Sequence, residues 1–270
     1  MQPLRLDDGE LEYDVVGSGE PLLLVHGSFM ADGLFPLATE PRIAGSYRVI
    51  SYHRRGYAGS SGAAATFTIR QQAADAQALL QHLRIPRAHV AGHSYGGTIA
   101  IHLSLEAPDL IGSLALLEPA LVFLVPSGTM FQEMLAPTQS MYQRGDRAGA
   151  LDAFLSRLVD PEYRQLLEKF LPPGAFELAI ADCGTTFGVE MEALQRWTFT
   201  AEDAARIRQP VLSVLGEESA PISLEIHSVL QRWIPHAEEL VVPQATHALQ
   251  FKNPQAVADG LARFLHRNHL

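Results

Sequence analysis

Short apolar runs alternate with longer amphipathic segments along most of the chain. Residues 22–25 form an unbroken apolar run, which is typical of a strand buried on both faces. Residues 68–83 place apolar side chains at helical spacing behind Thr68, a residue suited to cap a helix. Strands that alternate with helices are joined by right-handed crossovers, so the pattern predicts an α/β fold with a mostly parallel sheet and helices on both faces. The predicted strands are residues 11–16, 22–25, 48–52, 89–91, 114–117, 211–215 and 239–242.

The alternation stops between residues 121 and 204, where helical patterns follow one another without a convincing strand. A helical insertion that leaves a parallel sheet and returns to it usually covers the carboxyl ends of the strands. We therefore expect a core made of residues 1–120 and 205–270 and an inserted helical cap over residues 121–204. The clearest helices of this segment are predicted at residues 148–158, 162–170 and 189–197, punctuated by Pro126, Pro137, Pro172 and Pro173.

Composition narrows the function without identifying it. The chain has 270 residues, enough for a large core without disulfides, and its single cysteine is Cys183. A net charge of −10 repels phosphate backbones and anionic membranes, which argues against nucleic-acid and membrane partners. The first residues lack the apolar core of a signal peptide, and no apolar run is long enough to cross a bilayer, so we expect a cytoplasmic protein. The expected partner is a small-molecule substrate, and the sequence leaves open whether the chain forms a homodimer.

The strongest chemical signal is the segment Gly92-His93-Ser94-Tyr95-Gly96, which lies between a predicted strand and a predicted helix. A serine on such a tight turn needs glycines two residues to either side, because a Cβ there would collide with the turn. A glycine-rich phosphate-binding turn is the competing interpretation. No lysine follows to hold a phosphate, and the chain is acidic, so we predict that Ser94 is a nucleophile.

A serine hydroxyl attacks a carbonyl only when a base takes its proton. The chain offers 11 histidines for that role. His247 is the best placed, because it follows Ser94 in the chain and lies in the loop between the last predicted strand and the last predicted helix. That loop starts at the carboxyl end of a strand, where Ser94 also lies. We therefore expect His247 to be the general base.

Four segments together resemble the α/β-hydrolase family. They are His26-Gly27 after an early strand, residues 52–60 after the next strand, the serine turn, and the loop that carries His247. The resemblance covers nearly the whole predicted core and implies an α/β-hydrolase fold with a mostly parallel, eight-stranded sheet. Family members often carry an aspartate where this sequence has His53, a departure that we place outside the chemical centre.

The same resemblance implies an oxyanion hole. Its two donors would be the backbone N–H groups of Ser28 and Tyr95, and Phe29 would line it. Acyl transfer needs such donors because negative charge develops on the carbonyl oxygen in the transition state.

The acid of a Ser-His-acid triad has more than one candidate. Many family members place an aspartate three residues after a glycine that ends a late strand, and here that position is Ser219. In a smaller group, which includes some haloalkane dehalogenases, the acid follows the preceding strand, where this chain has Glu118. A carboxylate that ends an apolar strand is costly to bury unless a partner such as a histidine N–H pairs it. We predict that Glu118 is the triad acid, with Glu217 or Glu218 as the alternative. If Glu118 has only a structural role, it would form a salt bridge or cap a helix.

The predicted cap is rich in bulky side chains: it holds 10 of the 21 aromatic residues and 4 of the 6 methionines within 84 of the 270 residues. On one interpretation, these bulky side chains do no more than pack the cap on the core. It can also build an apolar, adaptable pocket for an acyl chain or a ring. On the second interpretation the substrate-binding candidates are Phe29, Phe123, Met130, Met134, Phe187 and Trp197.

These residues predict a serine hydrolase that cleaves an ester, thioester or lactone of a small to medium, mainly apolar substrate through an acyl-enzyme. No metal and no organic cofactor is implied. A C–C bond hydrolase acting on a β-diketone-like substrate could use the same triad. A non-catalytic, ligand-binding homologue would keep only the pocket, and the intact Ser94 and His247 weigh against it.

Overall fold

The computed structural model of the protein describes residues 1–62 and 66–270 and centres on one β-sheet. The described strands are β1 (Gln2–Leu6), β2 (Gly9–Val16), β3 (Glu20–Val25), β4 (Tyr47–Tyr52), β5 (Ser61–Gly62), β6 (Ala88–His93), β7 (Ile111–Leu117), β8 (Val211–Gly216) and β9 (Glu238–Val242). Eight of them lie in the order β1-β2-β4-β3-β6-β7-β8-β9, and the short β5 pairs with β2. All neighbours from β4 to β9 are parallel, while β2 is antiparallel to both β1 and β4. The predicted mostly parallel, eight-stranded sheet is confirmed.

Helices cover both faces of the sheet, as predicted. The described α-helices are α1 (Phe35–Ala38), α2 (Pro41–Ala44), α3 (Ile69–His82), α4 (Tyr95–Glu106), α5 (Gly128–Gln143), α6 (Arg147–Leu158), α7 (Tyr163–Phe170), α8 (Ala175–Thr185), α9 (Met191–Arg196), α10 (Ala201–Ala204), α11 (Pro221–Trp233), α12 (Leu249–Lys252) and α13 (Pro254–Arg267). Helices α3, α4 and α11 pack their apolar side chains on one face, and α1, α2 and α13 pack theirs on the other. None of the described helices combines the length and hydropathy needed to span a membrane.

The segment between β7 and β8 is helical, and we call residues 121–204 the helical insertion. Helices α5 to α10 occupy it, and its residues, all of which the structure describes, form no strand. Helices α6, α7 and α8 bury a separate apolar cluster against Phe29 and Phe251 of the remaining chain. Phe29 follows β3, and Phe251 lies in α12, which follows the loop after β9. The insertion therefore packs on segments at the carboxyl edge of the sheet.

Strand β1 and helix α5 are two of the elements that differ from the sequence prediction. Strand β1 was not expected, because only Leu4 of its residues is buried and it contains Pro3. An edge strand tolerates a proline, since one side of it needs no ladder hydrogen bonds. Helix α5 runs through Pro137 instead of stopping there. Pro137 cannot bond the carbonyl of Glu133, but both residues are exposed, so water can satisfy that carbonyl.

The carboxyl ends of the parallel strands meet at one edge of the sheet and gather the predicted chemical residues there. Ser28 follows β3, Ser94 follows β6, and Glu118 follows β7. His247 lies in the loop after β9. Residues far apart in the chain thus converge because parallel strands all end at the same side.

Candidate active site

Ser94 occupies a strained turn between β6 and α4. Its backbone has φ 53° and ψ −121°, a conformation that non-glycine residues rarely adopt. A Cβ at Gly92 would collide with the carbonyl oxygen of Gly96, and one at Gly96 would collide with that of Val25. The two glycines are therefore required for the chain to hold the serine at this point.

His247 and Glu118 form a hydrogen-bonded pair beside this turn. The Nδ1 atom of His247 lies 2.8 Å from Oε2 of Glu118, which is a normal hydrogen-bond distance. Glu118 itself has a left-handed backbone with φ 44°, which turns its side chain at the end of β7. Because a carboxylate can only accept, Nδ1 of His247 carries the hydrogen and Nε2 is free to accept a proton.

Glu118 is buried and receives further hydrogen bonds. The backbone N–H of Gly216 donates to Oε1 at 2.8 Å, and the hydroxyl of Ser219 donates to the same oxygen. The hydroxyl of Ser223 donates to Oε2 at 2.7 Å. Burial opposes ionisation of Glu118, but the hydrogen bonds from His247, Ser219 and Gly216 and the charge of His247 outweigh it and lower its pKa to about 2. Glu118 is therefore an anion at neutral pH.

The alternative acids lie elsewhere. Glu217 is exposed and accepts a hydrogen bond from the backbone N–H of Gln244 at 3.0 Å. Glu218 is also exposed. Among the described residues, Glu118 supplies the carboxylate that reaches the imidazole of His247.

His93, next to Ser94, supports the His247 loop. Its Nε2–H donates to the carbonyl oxygen of His247 at 2.9 Å, and the two rings lie 4.8 Å apart. Burial, with the charge of His247 as a smaller cause, lowers the pKa of His93 to about 3, so it stays neutral at physiological pH. His93 thus fixes the backbone of the loop that carries His247.

Two backbone N–H groups at the site have no protein acceptor within the described part of the chain. They belong to Ser28 and Tyr95, the two residues expected to form an oxyanion hole. The N–H of Phe29, by contrast, donates to the hydroxyl of Tyr57 at 3.3 Å. Buried donors are rarely left unpaired, so the two free N–H groups are suited to a ligand oxygen.

A single cavity brings these groups together. Ser28, Ser94, Tyr95, Glu118 and His247 all line it. The helical insertion supplies much of its wall, through residues that the sequence analysis did not single out: Val122, Phe131, Phe154, Leu155, Leu158, Val159, Tyr163, Leu166, Leu167, Met191 and Leu194.

The predicted substrate-binding residues need correction. Phe29 lines the cavity, but Phe123, Met130, Met134, Phe187 and Trp197 are not among the residues that line it.

Each of these five residues has another environment. Met130 is 70% exposed, and Met134 is partly exposed on α5. Phe123 packs against the core below the insertion. Phe187 supports the cavity from behind, because its ring packs on Phe29 at 5.1 Å between centroids. Trp197 stacks on Phe199 at 5.7 Å.

Sequence spacing contained part of the missing signal. Phe154, Leu155 and Leu158 lie on one face of α6, so their apolar character could be recognised. The direction of that face depends on how the insertion packs on the core, which local spacing does not specify.

No group of three or more His, Cys, Asp or Glu residues within residues 1–62 and 66–270 is arranged to hold a metal ion.

Comparison with known proteins agrees with this architecture. The family model of the alpha/beta hydrolase fold matches residues 20–254. The dihydrolipoyllysine-residue acetyltransferase component of the acetoin cleaving system of Pseudomonas putida is 30% identical over 257 residues, which cover 93% of this chain and 64% of that protein. The chain therefore spans less than two thirds of that relative's length.

Two further likenesses extend over most or all of both proteins. The 2-hydroxymuconate semialdehyde hydrolase of Pseudomonas sp. (strain CF600) is 29% identical over 263 residues, covering 92% of this chain and 88% of that protein. A thermophilic esterase from Thermogutta terrifontis has a TM-score of 0.80 and 20% identity, with 100% of both chains covered. At that identity the structural likeness concerns the fold. Because the family model extends over most of its length, the chain belongs to the α/β-hydrolase fold family.

Proposed function

We propose that the protein is a serine hydrolase that cleaves an ester, thioester or lactone bond of a small to medium, mainly apolar substrate. The observation that carries this proposal is the convergence of Ser94 and the bonded pair of His247 and Glu118 on one cavity. The predicted cytoplasmic location and the small-molecule partner are part of the same proposal.

The proposed reaction uses the groups that line this cavity. Ser94 Oγ attacks the substrate carbonyl carbon while Nε2 of His247 takes the hydroxyl proton. Glu118 holds the imidazole through Nδ1–H and balances the imidazolium charge. The N–H groups of Ser28 and Tyr95 stabilise the oxyanion.

The intermediate then collapses. His247 gives the proton to the leaving group, which departs and leaves an ester between the acyl group and Ser94. A water molecule, activated by His247, hydrolyses that ester, and the hydroxyl of Ser94 regains its proton. Every proton transfer in this reaction passes through Nε2 of His247.

The composition of the cavity wall favours an uncharged substrate. Glu118 is the only Asp, Glu, Lys or Arg among the described residues that line it, and it is already paired with His247. The rest of the wall is mainly apolar. A carboxylate in the acyl portion would find no cation there, and burying an unpaired charge is costly.

Replacement of Ser94 tests the proposal directly. Ser94→Ala should lower kcat for p-nitrophenyl esters by about 10⁴–10⁶ and abolish labelling by a fluorophosphonate probe. Ser18→Ala, at an exposed serine in a loop, is the matched control and should keep both properties. A series of acyl chain lengths and one β-diketone should be assayed together. Normal ester turnover by a folded Ser94→Ala variant would falsify the assignment.

A further inference from the structure

A fully buried ion pair joins the core to the helical insertion behind the candidate oxyanion hole. Arg54 lies in the turn after β4 and Glu190 in the insertion, and neither side chain is exposed. Arg54 Nη1 contacts Oε1 of Glu190. The reaction outlined above uses neither residue, so catalysis by these side chains does not explain why two charges are buried here. Buried ion pairs often add little stability by themselves.

The other guanidinium nitrogens of Arg54 bind the loop that carries Ser28. Nε donates to the carbonyl oxygen of His26 at 2.9 Å, and Nη2 donates to that of Gly27 at 2.9 Å. The planar guanidinium thus holds two successive carbonyl groups and the carboxylate of Glu190 at once, a geometry that lysine cannot reproduce.

The carbonyl of Gly27 belongs to the same peptide unit as the N–H of Ser28. In a trans peptide these two groups point in opposite directions. The carbonyl oxygen also accepts a hydrogen bond from Nδ1–H of His26 at 2.7 Å. The proton is on Nδ1 because Nε2 of His26 accepts from the N–H of Arg54 at 2.9 Å. Two donors therefore hold the oxygen, and the Ser28 N–H on the opposite side is held toward the cavity.

Glu190 extends this control to the next residues. Its Oε2 accepts hydrogen bonds from the hydroxyl of Ser28 at 2.6 Å and from that of Tyr57 at 2.7 Å. The hydroxyl of Tyr57 in turn accepts the N–H of Phe29. One carboxylate from the insertion thus anchors both the side chain of Ser28 and, through Tyr57, the peptide that follows it.

We propose that Arg54 and Glu190 are positioning residues that orient the Gly27–Ser28 peptide, so that the helical insertion is a structural part of the oxyanion hole. The proposal rests on the function inferred above, in which the Ser28 N–H stabilises the oxyanion. The positive charge of Arg54 on the Gly27 carbonyl also polarises the peptide and makes its N–H a stronger donor.

The main test removes both charges together, because removal of one would leave the other buried and unpaired. In Arg54→Met/Glu190→Gln, an amide oxygen still accepts from Ser28 and Tyr57. We expect kcat to fall by about 10²–10³ while KM changes only a few-fold, since the lost interaction acts on the transition state. The inhibition constant of a trifluoromethyl ketone, whose adduct with a serine hydroxyl carries an oxyanion, should rise in parallel.

The neighbouring pair of Arg55 and Asp75 provides a matched control. It is also buried, with 2.7 Å between Arg55 Nη2 and Asp75 Oδ1, but it does not contact the Gly27–Ser28 peptide. Arg55→Met/Asp75→Asn should lower the melting temperature and leave kcat and the ketone inhibition constant near the wild-type values. If the Arg54 double variant does not fold, Arg54→Lys is measured in the same way and should lower kcat more than it changes KM.

Fluorophosphonate labelling of Ser94 separates this inference from the proposed function. If the wild type is unlabelled and Ser94→Ala stays active, the proposed function is wrong. The positioning role is wrong if the wild type is labelled but the folded Arg54 variant keeps the wild-type kcat and ketone inhibition constant. It is also wrong if these two values change no more in the Arg54 variant than in the Arg55 control.

Discussion

At the scale of single residues, the proposed acid, Glu118, lies at a different position from the acid of many α/β-hydrolases. Ser219 stands where such proteins often carry the acid, and its hydroxyl donates to Glu118 at the end of the preceding strand. The hydroxyl of Ser219 thus helps to hold the carboxylate that we propose as the acid in place of the usual residue. Glu118 keeps its charge because Ser219, Ser223, Gly216 and His247 all donate to it.

Replacement of the Glu118 carboxylate should lower kcat strongly while the protein stays folded. Glu118→Gln should lower kcat by about 10²–10⁴, because an amide cannot balance the imidazolium that forms on His247. Glu217→Gln, at an exposed carboxylate, should stay near wild type. Both are compared by ester hydrolysis at one pH, with circular dichroism as the check of folding. Full activity of Glu118→Gln beside an inactive Glu217→Gln would overturn the assignment.

At the scale of elements, His53 ties together three segments that frame the site. Its Nδ1 contacts Oε2 of Glu12 on β2, and its Nε2 contacts Oδ1 of Asp32 after β3, both at 3.1 Å. Both carboxylates accept, so the ring makes both bonds only when it is protonated. Burial acts against that charge, but the hydrogen bonds and charges of Asp32 and Glu12 outweigh it and raise the pKa of His53.

The stability that His53 contributes should depend on pH. Because its pKa is higher in the folded state, the contribution is complete below the unfolded-state pKa, about 6.5, and is lost as pH rises through the folded-state value. His53→Gln should therefore lower the melting temperature most at pH 5.5 and least at pH 9. Thermal unfolding of both proteins across this range measures the effect, and a difference that grows with pH would refute it.

His53→Asp is a useful companion variant. It restores the residue that many family members carry but places a third carboxylate beside Glu12 and Asp32. Like charges that share a site repel, so this variant should be less stable than His53→Gln at neutral pH.

At the scale of the whole molecule, the cavity lies between the carboxyl edge of the sheet and the helical insertion. The insertion contributes apolar side chains, and the core contributes Ser94, His247 and Glu118. A substrate must enter this space and lose its hydration, which favours neutral groups over charged ones.

Charge selectivity among substrates tests this arrangement. Hydrolysis of p-nitrophenyl hexanoate should exceed that of mono-p-nitrophenyl adipate, a similar ester with a terminal carboxylate, by at least about 100-fold in kcat/KM. The two substrates have similar length, so the comparison isolates the charge. Equal values would mean that the acyl chain does not bind in the apolar cavity.

Much of the architecture could be read from local patterns. The strands β3 and β8 contain nearly continuous apolar runs because both of their faces are buried, and this is visible without a structure. The glycines around Ser94 and the threonine that caps α3 are likewise local requirements of the backbone. The edge strand β1 was missed because an edge needs little apolar surface.

The sequence by itself determined the alternation of strands and helices in the core, the serine turn and the histidine loop, because each depends on neighbouring residues. Which of Glu118, Glu217 and Glu218 lies within hydrogen-bond distance of His247 was decided only by the tertiary structure, because these residues are distant from one another or from His247 in the chain. The cavity wall and the bond network of Arg54 and Glu190 also belong to the tertiary structure. Arg54 and Glu190 are 136 positions apart in the chain, and only the packing of the insertion on the core brings them into contact.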